Sequence, residues 1–260
     1  GDEYYANYKR ATAKGFKNLI PNPKMKVDNI KLISASAFTK PRSAIVKKMY
    51  SAPLTDILRE MNRNSNNHAA NQIFEFLGGE KAFNKIKKDL LRLNPNEVFI
   101  VNGSGGPKRF APDYSEDNKI YNKANCVAVV KSMAYINTYL SHPNIKLNLQ
   151  SVLPVAGERT ANSLDGSYKN DELDKVLIGK TGTANQAVTL TGFAHTNRGD
   201  VYFYYNMAIT KKCNGGSWQA ILNCRKAARS EGRREIKSKV TQLIEKHYGG
   251  GIQVKVKPLN

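Results

Sequence analysis

The chain is poor in acid and in histidine. Its 260 residues carry 21 Asp and Glu against 41 Lys and Arg, a formal net charge of +20 at pH 7. That imbalance disfavours cationic ligands and favours anionic partners. The four histidines, His68, His142, His195 and His247, are scattered without metal-ligand spacing. No Walker-type loop or dinucleotide fingerprint is present, so no cofactor is expected. No apolar run approaches the length needed to cross a membrane, and no signal-peptide pattern opens the sequence. Internal repeats and low-complexity tracts are also missing.

Cysteine is scarce too, with three in the chain. Cys126 falls within a helical pattern over Ala124 to Tyr139 and is expected to be a buried small hydrophobe. Cys213 and Cys224 bracket Asn214-Gly215-Gly216-Ser217 and the start of a helix near Trp218. They can close a disulfide suited to an oxidising compartment, although spacing alone leaves the bridge open.

Hydrophobic residues make up 40% of the chain, enough for a full core in one large domain or two small ones. The most informative stretch is Lys180-Thr181-Gly182-Thr183. Val176-Leu177-Ile178 precedes it, and Ala187 to Ala194 and Val201 to Tyr205 follow. These segments are β-branched and aromatic, and Asn197-Arg198-Gly199-Asp200 supplies turn chemistry between the last two. A lysine, hydroxyls and a glycine on a sheet edge suit an anion whose backbone comes close. Penicillin-recognising serine acyl-transferases hold a substrate carboxylate with such a Lys-Thr-Gly.

Far upstream stands Ser65-Asn66-Asn67. Leu54, Ile57, Leu58 and Met61 predict an amphipathic helix over Pro53 to Arg63, with proline in its first turn. Asn64-Ser65-Asn66 breaks it. Ala69, Ala70, Ile73, Phe74 and Leu77 begin another, ending at Gly78-Gly79. The triplet therefore sits between helices, where it either faces a cleft or caps the second helix.

Ser51 to Asn67 resembles the S-x-N region of the low-molecular-mass class C penicillin-binding proteins, bacterial D-alanyl-D-alanine carboxypeptidases and endopeptidases. Asn102-Gly103-Ser104-Gly105 resembles their Gly-Ser-Gly segment, and Leu153 to Gly157 the segment before their Lys-Thr-Gly. The resemblance covers about residues 50 to 210. It implies an α+β fold, with a mainly antiparallel sheet flanked by helices and a helical subdomain presenting Ser65. Residues 51–260 would form the penicillin-binding domain, and 1–50 a remnant of an inserted region or an amino-terminal segment.

One departure is large. The family's nucleophile is the serine of an S-x-x-K, and this sequence contains none. Ser43 and Lys47, and Ser104 and Lys108, each stand one residue too far apart. Pro41-Arg42-Ser43-Ala44 reads instead as a helix start. Either the chain is the carboxy-terminal part of a longer polypeptide, with Tyr5 to Gly15 a helix of the preceding segment, or it is a catalytically inactive peptidoglycan-binding homologue.

The resemblance assigns Ser65, Asn67 and Lys180 to catalysis and Thr181, Gly182, Thr183 and Ser104 to substrate binding. Arg159 is a further candidate for meeting an acidic peptide. The implied partners are peptidoglycan stem peptides, β-lactams as inhibitors and the missing amino-terminal part. The implied setting is the bacterial periplasm. A basic nucleic-acid-binding surface over Arg225 to Lys239 is the competing class; a solvated helix face is the plainer reading of that run.

Further elements follow from pattern. A helix is expected over Glu80 to Leu93 with Ala82, Phe83, Ile86, Leu90 and Leu91 inward, and a short strand over Val98 to Val101. Lys108 to Lys123 and residues 158 to 172 read as loops, with a turn at Pro154 between them. A long helix runs from Trp218 to Tyr248, with Ile221, Ala227, Ile236, Val240, Leu243 and Ile244 inward, and ends at Gly249-Gly250-Gly251. Ile252 to Val256 alternates like a terminal strand.

Overall fold

Alternation of side chains builds the centre of the molecule. In the computed structural model the described residues are 52–106, 108–109, 119–145, 147–158, 163–184, 187–211, 213 and 216–256. They belong to one compact unit, Ser51–Asn260. The readings at Tyr5 to Gly15, Ser43 with Lys47, and Arg159 lie outside them.

Three helices come first: α1 (Leu54–Arg63), α2 (Asn67–Phe76) and α3 (Gly79–Asp89). Two small antiparallel ladders follow. One pairs β1 (Val98–Phe99) with β4 (Lys123–Ala124), and the other β2 (Lys108–Arg109) with β3 (Lys119–Ile120). The stretch expected as a loop over Lys108 to Lys123 thus contributes backbone to two ladders. Helix α4 (Cys126–Leu140) leads through a 3₁₀ turn (Leu149–Ser151) and the short helix α5 (Asp165–Tyr168) into the main sheet. That sheet is antiparallel in the order β5 (Ile178–Thr183), β6 (Ala187–Thr196), β7 (Gly199–Ala208). A long helix, α6 (Trp218–Gln242), follows and ends in a π-turn at Leu243–His247.

The sheet separates two cores. On one face Val188, Leu190 and Ala194 of β6 meet Ile236, Val240 and Ile244 of the carboxy-terminal helix. On the other, Ile178 and Phe193 meet Met133 of α4 with Leu149 and Val155. Residues two apart share a face of a strand. Lys180 therefore belongs to the face of Ile178, while Thr181 and Thr183 belong to the face that α6 covers. The α+β architecture, an antiparallel sheet with helices on both faces, is the expected one.

Several inward assignments are corrected. Leu54 and Leu77 are exposed, and the buried positions of α1 are Arg59 and Arg63. Ile86 and Leu90 are exposed, while Lys87 is buried and donates from Nζ to Val98 O at 3.1 Å. Cys126 is exposed, at the first position of α4. Ala227 is exposed; the buried row of α6 is Ala228, Gly232, Ile236 and Val240, spaced by four. Val176 and Leu177 close a turn on Leu173 O, so the strand begins at Ile178.

Residues 158 to 172 are less loop-like than their polarity suggested. Glu158, Leu164 and Tyr168 are buried there, and Asp165–Tyr168 is helical. The terminal alternation at Ile252 to Val256 packs Val254 and Val256 on the second core. It makes no ladder there, only single contacts such as Ile252 N–H to His195 O at 2.8 Å.

Candidate active site

Lys180 and Ser65, 115 residues apart, meet directly. Lys180 Nζ donates to Ser65 Oγ at 2.6 Å and to Thr181 O at 2.7 Å. Burial pulls the Lys180 ammonium below the usual lysine range. Such a cation, held on a serine hydroxyl, is equipped to move a proton through that hydroxyl or to bind an anion beside it.

Local sequence explains why Ser65 is presented. Helix α1 ends with Asn66 N–H on Met61 O (2.9 Å) and Ser65 N–H on Asn62 O (3.4 Å), a Schellman-like stop. That stop needs a left-handed residue, and Ser65 occupies it with φ 49°. Glycine is the usual occupant, and a serine costs about 1 kcal/mol there. Strain of this kind concentrates at functional sites. The capping alternative also has its residue: Asn66 Oδ1 accepts from Ala69 N–H at 3.0 Å. Asn66 caps α2 and Ser65 does not. Asn67 is the first residue of α2 and is exposed.

The edge of β5 is open beside these groups. Gly179 N–H reaches outward to Pro154 O (3.0 Å), and Leu177 O accepts from Ala156 N–H (2.9 Å). Backbone direction repeats every second residue, so Thr181 and Thr183 also aim N–H and C=O outward. Among the described residues no strand pairs with them on that side. Gly182 lies against β6, where a Cβ would stand 2.3 Å from Thr189 Oγ1. Thr183 is exposed, and its Oγ1 accepts from Arg233 Nη2 at 3.0 Å.

Ser104 is tied to α2 through its backbone. Its N–H donates to Asn71 Oδ1 at 2.9 Å, and Asn71 stands one helical turn after Asn67 on α2. Gly103 allows this approach: a Cβ there would lie 2.1 Å from Ala70 O. Asn102 Oδ1 gathers the loop by accepting from Ser104 N–H (3.2 Å), Gly105 N–H (2.8 Å) and Ser104 Oγ (3.4 Å). Cys213 and Cys224 are joined as a disulfide.

The sequence did not reveal what aligns Ser65 with Lys180. Arg59 Nη2 meets Glu158 Oε1 at 2.9 Å, and Arg63 Nε meets Glu158 Oε2 at 3.1 Å. The Glu158 side chain is 1% exposed. Its segment, Pro154 to Glu158, is hydrogen-bonded to Leu177 and Gly179 around the start of β5. Asn62 Nδ2 adds a bond to Val152 O at 2.8 Å. The buried Arg-Glu-Arg cluster thus ties the helix that ends in Ser65 to the strand that carries Lys180. Two arginines four apart on α1 are the only sequence signal, because their shared partner stands 95 residues beyond Arg63.

A serine and lysine across an open sheet edge, with an antiparallel sheet between helical layers, define a class of penicillin-recognising serine peptidase folds. The family model described as D-Ala-D-Ala carboxypeptidase 3 (S13) matches residues 28–217. The chain belongs to that family. It is 29% identical over 157 residues to the D-alanyl-D-alanine carboxypeptidase DacB of Haemophilus influenzae, covering 60% of this chain and 32% of that protein.

Two similar solved structures come from Bdellovibrio bacteriovorus. The predatory peptidoglycan endopeptidase Bd3459 is 28% identical with a TM-score of 0.73, over 100% of this chain and 60% of that one. The predatory endopeptidase Bd0816, solved with the immunity protein Bd3460, is 26% identical with a TM-score of 0.70, over 100% and 60%. Bd3459 has also been solved acylated by penicillin G. The chain therefore spans about a third of the curated relative and under two thirds of the solved ones.

Proposed function

We propose that this chain builds the substrate-clamping side of the cleft in a peptidoglycan DD-carboxypeptidase/endopeptidase acting through a serine acyl-enzyme. The observation that carries this is the 2.6 Å contact of Lys180 Nζ with Ser65 Oγ beside the open edge of β5. The attacking serine is one that the present sequence does not offer in an S-x-x-K, and in this reading it lies on a part of the protein not present in this chain. It attacks the carbonyl of a terminal D-Ala-D-Ala or of a cross-bridge, and water then releases the acyl group.

Each residue has a role in that scheme. Ser65 passes a proton toward the leaving nitrogen, with the Lys180 ammonium supplying the field. Asn67 hydrogen-bonds the substrate amide. Lys180, Thr181 and Thr183 hold the carboxylate, and Gly182 lets the peptide backbone lie close. The outward N–H of Thr183 supplies half of an oxyanion hole. Ser104, in the loop tied to α2, walls the cleft. The substrates are stem peptides, β-lactams are acylating inhibitors and the setting is the periplasm, where the Cys213–Cys224 bridge is at home. Among the described residues no helix is long and apolar enough to cross a membrane.

A second reading is favoured by one observation, the lack of S-x-x-K: a homologue that binds peptidoglycan without cleaving it. One experiment separates the two. Fluorescent penicillin is expected to label the full-length polypeptide that contains this chain, and Lys180→Ala to abolish labelling. Persistent labelling of the variant defeats the assignment of Lys180. Failure to label the unaltered protein favours the inactive homologue.

A further inference from the structure

Thr183 has a partner that the Lys-Thr-Gly pattern does not announce. Arg233 comes from α6, in a run that reads in sequence as a solvated basic face, and donates from Nη2 to Thr183 Oγ1 at 3.0 Å. The approach is built by its neighbour. A Cβ on Gly232 would lie 2.8 Å from Val188 Cγ2, and Val188 is the register partner of Thr183. Glycine at 232 lets the helix settle onto the β5–β6 hairpin, and the next side chain then reaches the end of β5.

Two features of this contact point beyond packing. A threonine hydroxyl has one proton to donate and two lone pairs, whereas a guanidinium only donates. With Arg233 filling a lone pair, the Thr183 proton must be directed to some other acceptor. The second feature is charge. Among the described residues no carboxylate forms an ion pair with Arg233; Glu235, two residues on, pairs with Lys239 at 3.7 Å instead. Arg233 thus brings an unneutralised planar cation to the edge of β5, three residues along the strand from Lys180, a span of about 10 Å. Planar guanidinium donors match carboxylates in geometry as well as charge.

We propose that Arg233 is a specificity residue of the carboxylate pocket: it fixes the Thr183 hydroxyl as a donor and adds a second positive charge to Lys180 for the free carboxylate of a bound peptide. This rests on the peptidase reading above and adds to it a residue from the carboxy-terminal helix. The ligand chemistry is a peptide whose leaving residue keeps its α-carboxylate free, and the residue discriminates against the same peptide capped as an amide.

The test is binding of diacetyl-Lys-D-Ala-D-Ala and of its carboxy-terminal amide, followed by titration of the full polypeptide. The unaltered protein is expected to favour the acid. Arg233→Gln is expected to shrink that acid-over-amide preference by roughly tenfold, the size of a hydrogen bond to a charged group, and to leave amide binding unchanged. Arg233→Lys is expected to restore part of it.

Two results overturn the proposal. One is an unchanged preference in Arg233→Gln. The other is equal loss of both ligands, which is what a merely structural tie between α6 and β5 predicts. Lys180→Ala separates this from the wider reading. If that variant loses the preference while Arg233→Gln keeps it, the peptidase reading stands and Arg233 has no part in it. If the unaltered protein shows no preference for the acid, both fail together.

Discussion

Lys180 Nζ lies 2.6 Å from Ser65 Oγ, and the serine stands at a left-handed helix stop with φ 49°. The contact joins a strained backbone position to a partly desolvated cation, and both halves have measurable consequences.

Replacing Ser65 by glycine relieves the backbone and removes the hydroxyl. Stability is expected to rise by about 1 kcal/mol in denaturant titration. Penicillin labelling is expected to fall at least tenfold, because the proton relay through Oγ is gone. A variant that gains stability and keeps full labelling would remove Ser65 from the chemistry.

Burial holds the Lys180 pKa below its ordinary 10.5. Between that lowered value and 10.5 the unfolded chain keeps a proton that the folded one has released. Stability attributable to Lys180 therefore rises with pH across that window. Lys180→Met is expected to lose this alkaline rise, seen as a flatter dependence of the denaturation midpoint on pH. Affinity for a carboxylate peptide should move oppositely, weakening at lower pH than an ordinary lysine would allow.

Glu158 neutralises two buried arginines at once. Glu158→Gln keeps its shape and takes the shared buried charge away from both guanidinium groups, while Arg63 keeps Glu60 at 2.9 Å. Breaking a buried pair in this way costs about 3–5 kcal/mol. Urea unfolding is expected to show that loss. In whatever fraction remains folded, labelling should drop as well, since the link from Ser65 to β5 is loosened.

The disulfide between Cys213 and Cys224 closes a short loop at the start of α6, with a sequence separation of 11. Loops of that size contribute about 3 kcal/mol by restricting the unfolded chain. Replacing both cysteines by serine is expected to lower stability by up to that amount. It should leave the acid-over-amide preference intact, because Arg233 is held at β5 by the packing of Gly232 on Val188 and not by the bridge.

Much of this was legible in the sequence, and the reasons are local. The period-two pattern around Ala187 and Val201 placed β6 and β7, the Asn197-Arg198 turn joined them, and Lys180 fell on the strand beside β6. The helix break at Asn64 to Asn66 was visible in residue type alone. The inward faces of α1 and α3 were misjudged because hydrophobic periodicity assumes that apolar side chains are the buried ones. In α1 the buried positions are Arg59 and Arg63, which Glu158 neutralises; in α3 the buried lysine is satisfied by carbonyls. Partners so distant in the chain carry no local signature.

By itself the sequence determined which groups are available: a lysine and threonines on a strand with a glycine between them, a serine at a helix break, and two cysteines in reach of each other. Their chemistry follows from residue type and short spacing, which the backbone enforces locally. Only the tertiary structure decided that Lys180 and Ser65 touch, that Glu158 aligns them, and that Arg233 arrives at Thr183. Those contacts depend on how α1 and α6 pack against the sheet, and packing is set by the whole core at once.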